Sequence, residues 1–318
     1  MQIGVEAETD SQTLNTISTS ARVGLYVKVL FKMARPTQLL AIILVYIFGS
    51  LVAIAHSVHF DMYTFFYGLF VVLPVSASIH YANEYADYET DSLTTRTLFS
   101  GGSGALPGSG LPPAVALKAA WIALTVGVTL AIFGWYYGIL SPAALALLFL
   151  GAFWGWMYSL PPLSLAWHGW GELDNASLGG VLLPFYAYTV HAGGLDLRAM
   201  LVFIPFGMLV FVNLLATTWA DREADAEVGK FTLATRWSSA RLRLLYLVVA
   251  VGAFVYLVLF LGFLFPGVVV LLSFLVLPVL IWGIIAYTRQ LSPLPTVAAM
   301  TVFLILQVVG WVMTILPA

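Results

Sequence analysis

Two segments gather much of the acidic charge in a chain that carries only 15 Asp and Glu. In the first, Asn83-Glu84-Tyr85-Ala86-Asp87-Tyr88-Glu89-Thr90-Asp91, the residues Asn83, Asp87 and Asp91 recur every four positions. On a helix they stack along one face about 5–6 Å apart, where like charges repel. Desolvation at a membrane boundary adds to the cost. A bound cation relieves both. Oxygen-only ligands on one helix face suit magnesium, which keeps waters and binds through one or two carboxylates plus substrate phosphates. The second segment, Asp221-Arg222-Glu223-Ala224-Asp225, repeats the spacing, and Asn213 and Thr217 extend its stripe toward the N-terminus. One acidic pair of this kind is most often a solvated helix face. Two pairs on the same side of a membrane point to metal ligation by Asn83, Glu84, Asp87, Asp91, Asp221 and Asp225, with a diphosphate bracketed between them.

Cations to receive such a diphosphate lie beside the motifs: Arg96 after the first, Lys230 after the second, Arg222 inside it and Arg35 ahead of the first apolar stretch. Arginine forks onto phosphate, whereas lysine acts as a compact point charge. Asn213 joins this diphosphate set. The run Gly101-Gly102-Ser103-Gly104 offers backbone amides to phosphate or a gating loop. It lacks the Lys-Ser/Thr of a nucleotide-binding loop.

The elements that must position these groups are membrane helices. The 318 residues are 61% hydrophobic and 9% charged, against roughly a quarter charged in a soluble domain. Mean hydropathy is +0.97. A net charge of −2 leaves no basic field for nucleic acid. With no cysteine, thiolate metal sites and disulfides are excluded. Nine stretches of the length that spans a bilayer can be drawn, at 37–56, 63–83, 113–136, 141–160, 176–192, 199–219, 243–264, 267–288 and 296–316. The fold class expected is all-α and polytopic, in one bundle, with residues 1–24 a disordered cytoplasmic tail and 25–318 the transmembrane domain. On this count twelve of thirteen basic residues fall on the N-terminal side and only Arg198 on the other. That bias places the N-terminus, and both acidic motifs, in the cytoplasm, with the C-terminus opposite. The long polar connections 84–112, 161–175 and 220–242 lie on the same face. An ion-coupled transporter would instead keep its ionisable groups near the bilayer midplane.

The first motif resembles the Asn-Asp-x-x-Asp-x-x-x-Asp signature of the UbiA-type prenyltransferase superfamily, and the second resembles its Asp-x-x-x-Asp partner. The likeness extends to Arg35-Pro36, to Tyr158-Ser159-Leu160-Pro161-Pro162 and to Gly171-Glu172. It departs at Glu84, where Asp is usual, and at His168, where a basic residue is common. The resemblance implies nine helices around a central cavity, Mg2+, a polyprenyl diphosphate donor, the bilayer as surroundings and no obligate protein partner. Charge placement then suggests ionisation to an allylic carbocation in a site shielded from water. Tyr158, at the family's position, can face that cation, and Glu172 is the expected base, with Asp174 and His80 as alternatives. Trp154 and Trp156 read as interface-belt residues. Gly229-Lys230-Phe231-Thr232-Leu233 with Arg236 resembles the menaquinone branch. That branch implies an aromatic acceptor, 1,4-dihydroxy-2-naphthoate; 4-hydroxybenzoate and glyceryl phosphate lipids are the alternatives.

Overall fold

The computed structural model describes residues 19–94, 96–97 and 99–316. It is helical throughout, with no β-strand among the described residues. Helix α1 covers Thr19–Met33 and α2 Pro36–Ala55, followed by α3 Met62–Ala86 and α4 Tyr88–Leu93. After a polar loop come α5 Ala114–Tyr136, α6 Pro142–Ser159, α7 Gly171–Ser177 and α8 Leu183–Ala192. The second half comprises α9 Leu197–Val202, α10 Ile204–Glu227, α11 Leu233–Arg236, α12 Ser239–Leu259, α13 Gly267–Ser273, α14 Leu277–Ala286 and α15 Leu294–Ile315.

Among the described residues, eight helices, counting Gly267–Ala286 as one, are long and apolar enough to cross a membrane. The ninth expected crossing, 176–192, is not a single regular helix. It lies in the segment from α7 through a π-helical turn, Leu178–Leu182, to α8. At 1.5 Å per residue, 171–192 still reaches about 33 Å, a bilayer's hydrocarbon thickness. Helix α1 begins at Thr19, so the last residues of the expected tail, 19–24, are helical; residues 1–18 of that tail lie outside the described residues.

Local chemistry sets the helix ends. Asp61 caps α3 by accepting the Thr64 amide, and Ser141 caps α6 by accepting that of Ala144, with Pro142 in the first turn. These caps satisfy first-turn amides that have no partner within the helix. Successive crossings pack as neighbours, and α15 returns to pack on α2, closing the bundle. With lipid as apolar as the side chains, such packing depends on close approach at small residues. Gly180, in the π-helical turn, is the tightest crossing with α10: a Cβ there would sit 2.4 Å from the Gly207 Cα. That neighbour is backbone and cannot rotate away.

Both acidic stripes fall at the C-terminal ends of long crossings. The helices run past the apolar stretches, so Asp221 and Asp225 belong to α10 itself, and Asp87 closes α3. We expect Gly180→Val to force α7–α8 off α10 and destabilise the protein by about 1–3 kcal/mol, read as a lowered unfolding temperature in detergent; an unchanged temperature would contradict this packing.

Candidate active site

The turn at Asp87 (φ −95, ψ 14) breaks the helix without breaking the register. The Asp87 amide still donates to the Asn83 carbonyl, and the Asp91 amide to that of Asp87. The three-residue stripe therefore survives. Asn83 Nδ2 donates to Asp87 Oδ2 at 2.8 Å and to Ser159 Oγ, at the end of α6, at 3.2 Å.

Lys230 joins the two stripes. Its Nζ lies 3.0 Å from Asp87 Oδ1 and 3.6 Å from Asp225 Oδ1, in surroundings that leave the lysine side chain 10% exposed. Burial works against its charge, but Asp87 and Asp225 outweigh that and hold its pKa above the ordinary lysine value. Trp167 presents its ring 5.8 Å from the same ammonium, and the Trp167 carbonyl accepts the Phe231 amide.

One lysine does not satisfy this cluster. Asp91 Oδ2, Asp221 Oδ1, Asp225 Oδ1 and Asn213 Oδ1 are all buried with no hydrogen-bond partner among the described residues. Burial, with Asp87 next, pushes Asp91 up to about 7, so it is poised to take a proton or a cation near neutrality. Asp87 and Asp225, at the C-terminal ends of α3 and α10, also meet the negative ends of helix dipoles, which disfavours anions there by about 0.3–1 kcal/mol each. No three Asp, Glu or His side chains converge as a ready-made metal cage among the described residues. The donor set instead fits a cation that takes one or two carboxylates at a time and completes its shell with phosphate and water.

The glycine run packs onto the carboxylates. Gly101 donates its amide to Asp221 Oδ2 at 3.4 Å. Gly102 has φ +63, and a Cβ there would lie 1.7 Å from Asp91 Oδ2, so only glycine lets the backbone approach that closely. The amides are therefore turned toward carboxylates. Arg96, in the same loop, reaches the Asp91 main-chain carbonyl at 3.3 Å.

Several expected ligands have other tasks. Glu84, 1% exposed, accepts Arg35 Nε (2.9 Å) and Nη2 (2.6 Å) and the Ser103 amide (2.9 Å) on Oε1, and the Ser103 hydroxyl (2.6 Å) on Oε2. Both oxygens thus have partners within the protein. Arg35 also donates to Asn83 Oδ1 at 2.9 Å, so it anchors both residues of the first motif. Arg222 stacks 4.0 Å over Trp219 and bonds to the Trp219 carbonyl and to exposed Glu223. Its guanidinium is thus turned to its own helix and engaged there. His80 is a satisfied helix histidine, its Nδ1 at 2.9 Å from the Ala34 carbonyl.

Tyr158 and Glu172 stand where expected, beside the cluster. Tyr158 lies within electrostatic reach of Lys230, Asp87 and Glu172, and its ring edge packs where Gly171 leaves room, 3.2 Å from the position of a Cβ. Glu172, 2% exposed, accepts the Leu233 amide at 3.1 Å, tying α7 to α11. Asp174 has a buried oxygen with no partner among the described residues. Ser103, Ser159 and Trp167 were not singled out from sequence. Each earns its place through a partner 19 to 76 positions away or more, and no local spacing signals that.

The Arg35 backbone is left-handed (φ 53), a conformation that costs a non-glycine residue about 1–2 kcal/mol, and the grip on Glu84 holds it there. We expect Arg35→Met to destabilise the protein by about 3–5 kcal/mol, because it leaves a buried carboxylate unpaired. Glu84→Gln in the same chain should recover part of that loss, so the double mutant lies above the sum of the singles in thermal unfolding.

The chain matches the model of the UbiA prenyltransferase family over residues 42–306. A curated relative, 1,4-dihydroxy-2-naphthoate octaprenyltransferase of Bacillus subtilis (strain 168), is 24% identical over 212 residues, 65% of this chain and 65% of that protein. The match thus spans just under two thirds of the relative's length. Among solved structures, a UbiA homolog from Archaeoglobus fulgidus bound to GPP and Mg2+ superposes with a TM-score of 0.62 at 16% identity, covering 90% of this chain and 99% of that one. An apo UbiA homolog from Aeropyrum pernix K1 gives 0.63 at 16% identity over 86% and 98%. A digeranylgeranylglyceryl phosphate synthase gives 0.61 at 16% over 91% and 99%. At these identities the structures bear on the fold, and the family model on membership. A multi-pass membrane protein with this architecture, matched over most of its length, belongs to the UbiA prenyltransferase family.

Proposed function

We propose that this chain transfers a polyprenyl group from its diphosphate to an aromatic acceptor, 1,4-dihydroxy-2-naphthoate, as in menaquinone synthesis. The observation that carries the diphosphate chemistry is the meeting of two acidic stripes around Lys230 with carboxylate oxygens left unpartnered. The acceptor rests on the naphthoate-prenylating relative and on the run Gly229–Leu233. The basic residues gathered at the motif end favour a cytoplasmic active site and N-terminus in the plasma membrane.

Asp87, Asp91, Asp221 and Asp225 would hold Mg2+, with Asn213 alongside. When bound, Mg2+ offsets the negative charge that builds on the departing diphosphate. Lys230 and Arg96 supply fixed positive charge to the same group. The allylic C–O bond breaks with its electron pair leaving on the diphosphate. The Tyr158 ring faces the resulting carbocation, where a desolvated cation–π contact is worth about 2 kcal/mol. The surrounding helices keep water from quenching it. A ring carbon of the acceptor supplies the electron pair for the new C–C bond, and Glu172 takes the proton that the hydroxylated ring gives up.

The test is purified protein in detergent with Mg2+, a polyprenyl diphosphate and a panel of dihydroxynaphthoate, 4-hydroxybenzoate and glyceryl phosphate. We expect pyrophosphate release and a prenylated naphthalene product, with Asp221→Asn lowering kcat about 100- to 1000-fold. Turnover confined to another member of the panel would reassign the acceptor, and full activity in Asp221→Asn would refute the diphosphate site.

A further inference from the structure

The side chain between the two stripes is a cation already. Lys230 Nζ bridges Asp87 on the α3 end and Asp225 on the α10 end, two residues that no other described side chain brings together. We infer that Lys230 is a resident counter-ion: in the metal-free protein its ammonium occupies the gap between the stripes that a divalent cation takes with the diphosphate, so lysine and metal compete for the same carboxylates. The inference rests on the proposed diphosphate chemistry and adds how that site is charged before substrate arrives.

Three observations support it. The first is the fit, close to Asp87 but 3.6 Å from Asp225, too long for a hydrogen bond and leaving Asp225 Oδ1 unpartnered. One positive charge spread over two carboxylates is a partial match that a divalent ion improves. The second is the mounting. The Lys230 amide donates to the Asp225 carbonyl at 2.8 Å, and its carbonyl accepts the Thr235 hydroxyl at 3.3 Å. The main chain is pinned, and only the four-carbon stem is free to move. The third is a place to go: the Trp167 ring, 5.8 Å from the ammonium, can hold it by cation–π attraction once displaced, within reach of an incoming phosphate. Lysine suits this task better than arginine, whose planar fork would lock bidentately onto one carboxylate.

Two consequences follow. The free protein stays stable without metal, since Lys230 screens Asp87 from Asp225. Divalent binding is weak until a diphosphate arrives, because the anion gives the displaced ammonium a new partner. Lys230 is thus a positioning residue acting through Asp87 and Asp225, as well as a diphosphate contact.

The experiment is calorimetric titration of Mg2+ and Mn2+ into the full chain in detergent, with no diphosphate, for wild type, Lys230→Met and Lys230→Arg, alongside thermal unfolding of each. We expect Lys230→Met to bind the divalent ion about tenfold or more tightly than wild type, to unfold at a lower temperature without metal, and to regain that loss when Mg2+ is added. Lys230→Arg should bind as weakly as wild type, and inorganic pyrophosphate should narrow the gap by tightening wild type. Lys230→Gln gives the same comparison should the methionine variant not fold. Equal or weaker binding by the neutral variants, with wild-type binding intact, overturns the competition alone. No divalent binding by any form, even with pyrophosphate, overturns the cation site and this inference with it.

Discussion

The constraint on which the site depends is uncompensated negative charge at low dielectric. Asp87, Asp91 and Asp225 are each under 9% exposed, and Asp221 keeps a buried oxygen without a partner. Asp87 and Asp225 stand at helix C-termini, where carbonyls already point. Against them the structure places one lysine ammonium in direct contact. A soluble protein would let water carry the difference. Here the Asp87 and Lys230 side chains are only 12% and 10% exposed, and the ammonium offsets part of the charge. Burying charges at partial compensation is costly, and a site that does so is poised to bind cations.

The bundle is built so that this cost is confined to one end. The deep spans carry few polar side chains, and some pair across helices, as Gln307 does with Ser273 at 2.7 Å and Trp156 with Ser78 at 3.1 Å. Close helix crossings at glycine provide rigidity without polar glue. The loop over the site is anchored separately, by Glu84 through Arg35 and Ser103, and its glycines then lie against Asp91 and Asp221. Carboxylates that are neighbours in sequence are therefore differently wired. Glu84 has every oxygen satisfied; Asp87, three residues on, shares its charge across the bundle.

This wiring marks where the sequence was legible and where it was not. Hydrophobic runs gave the crossings, because twenty apolar residues have few other uses. The exception was 176–192, where Leu178–Leu182 is π-helical and α8 alone is short. The i, i+4 spacing located both acidic stripes, since a helical period needs no partner to be seen. Glu84 lies in the same segment but off that stripe, and its pairing is decided by Arg35, 49 positions earlier. Arg222 shows the same limit: its charge is visible in a sequence, whereas its stacking on Trp219 is not. Lys230 was picked as a phosphate partner, but its bridge from Asp225 to Asp87, 143 residues away, exists only in three dimensions.

The two stripes, alike in spacing, are unlike in freedom, and this bears on how chemistry at such a site can be ordered. In the first, the Asn83 oxygen is held by Arg35 and Asp87 by both Asn83 and Lys230, leaving Asp91 as its open member. In the second, Asp221 and Asp225 each keep an unpartnered oxygen, and the contact from Gly101 is long. A ligand entering between them meets a fixed wall on α3 and a receptive one on α10. The contacts most easily exchanged are those of Gly101 and Lys230, both supplied by the polar connections and not by the spans. Ligand capture can then rearrange loop and side chain while the helices stay packed, which a bundle held by glycine-to-backbone crossings requires.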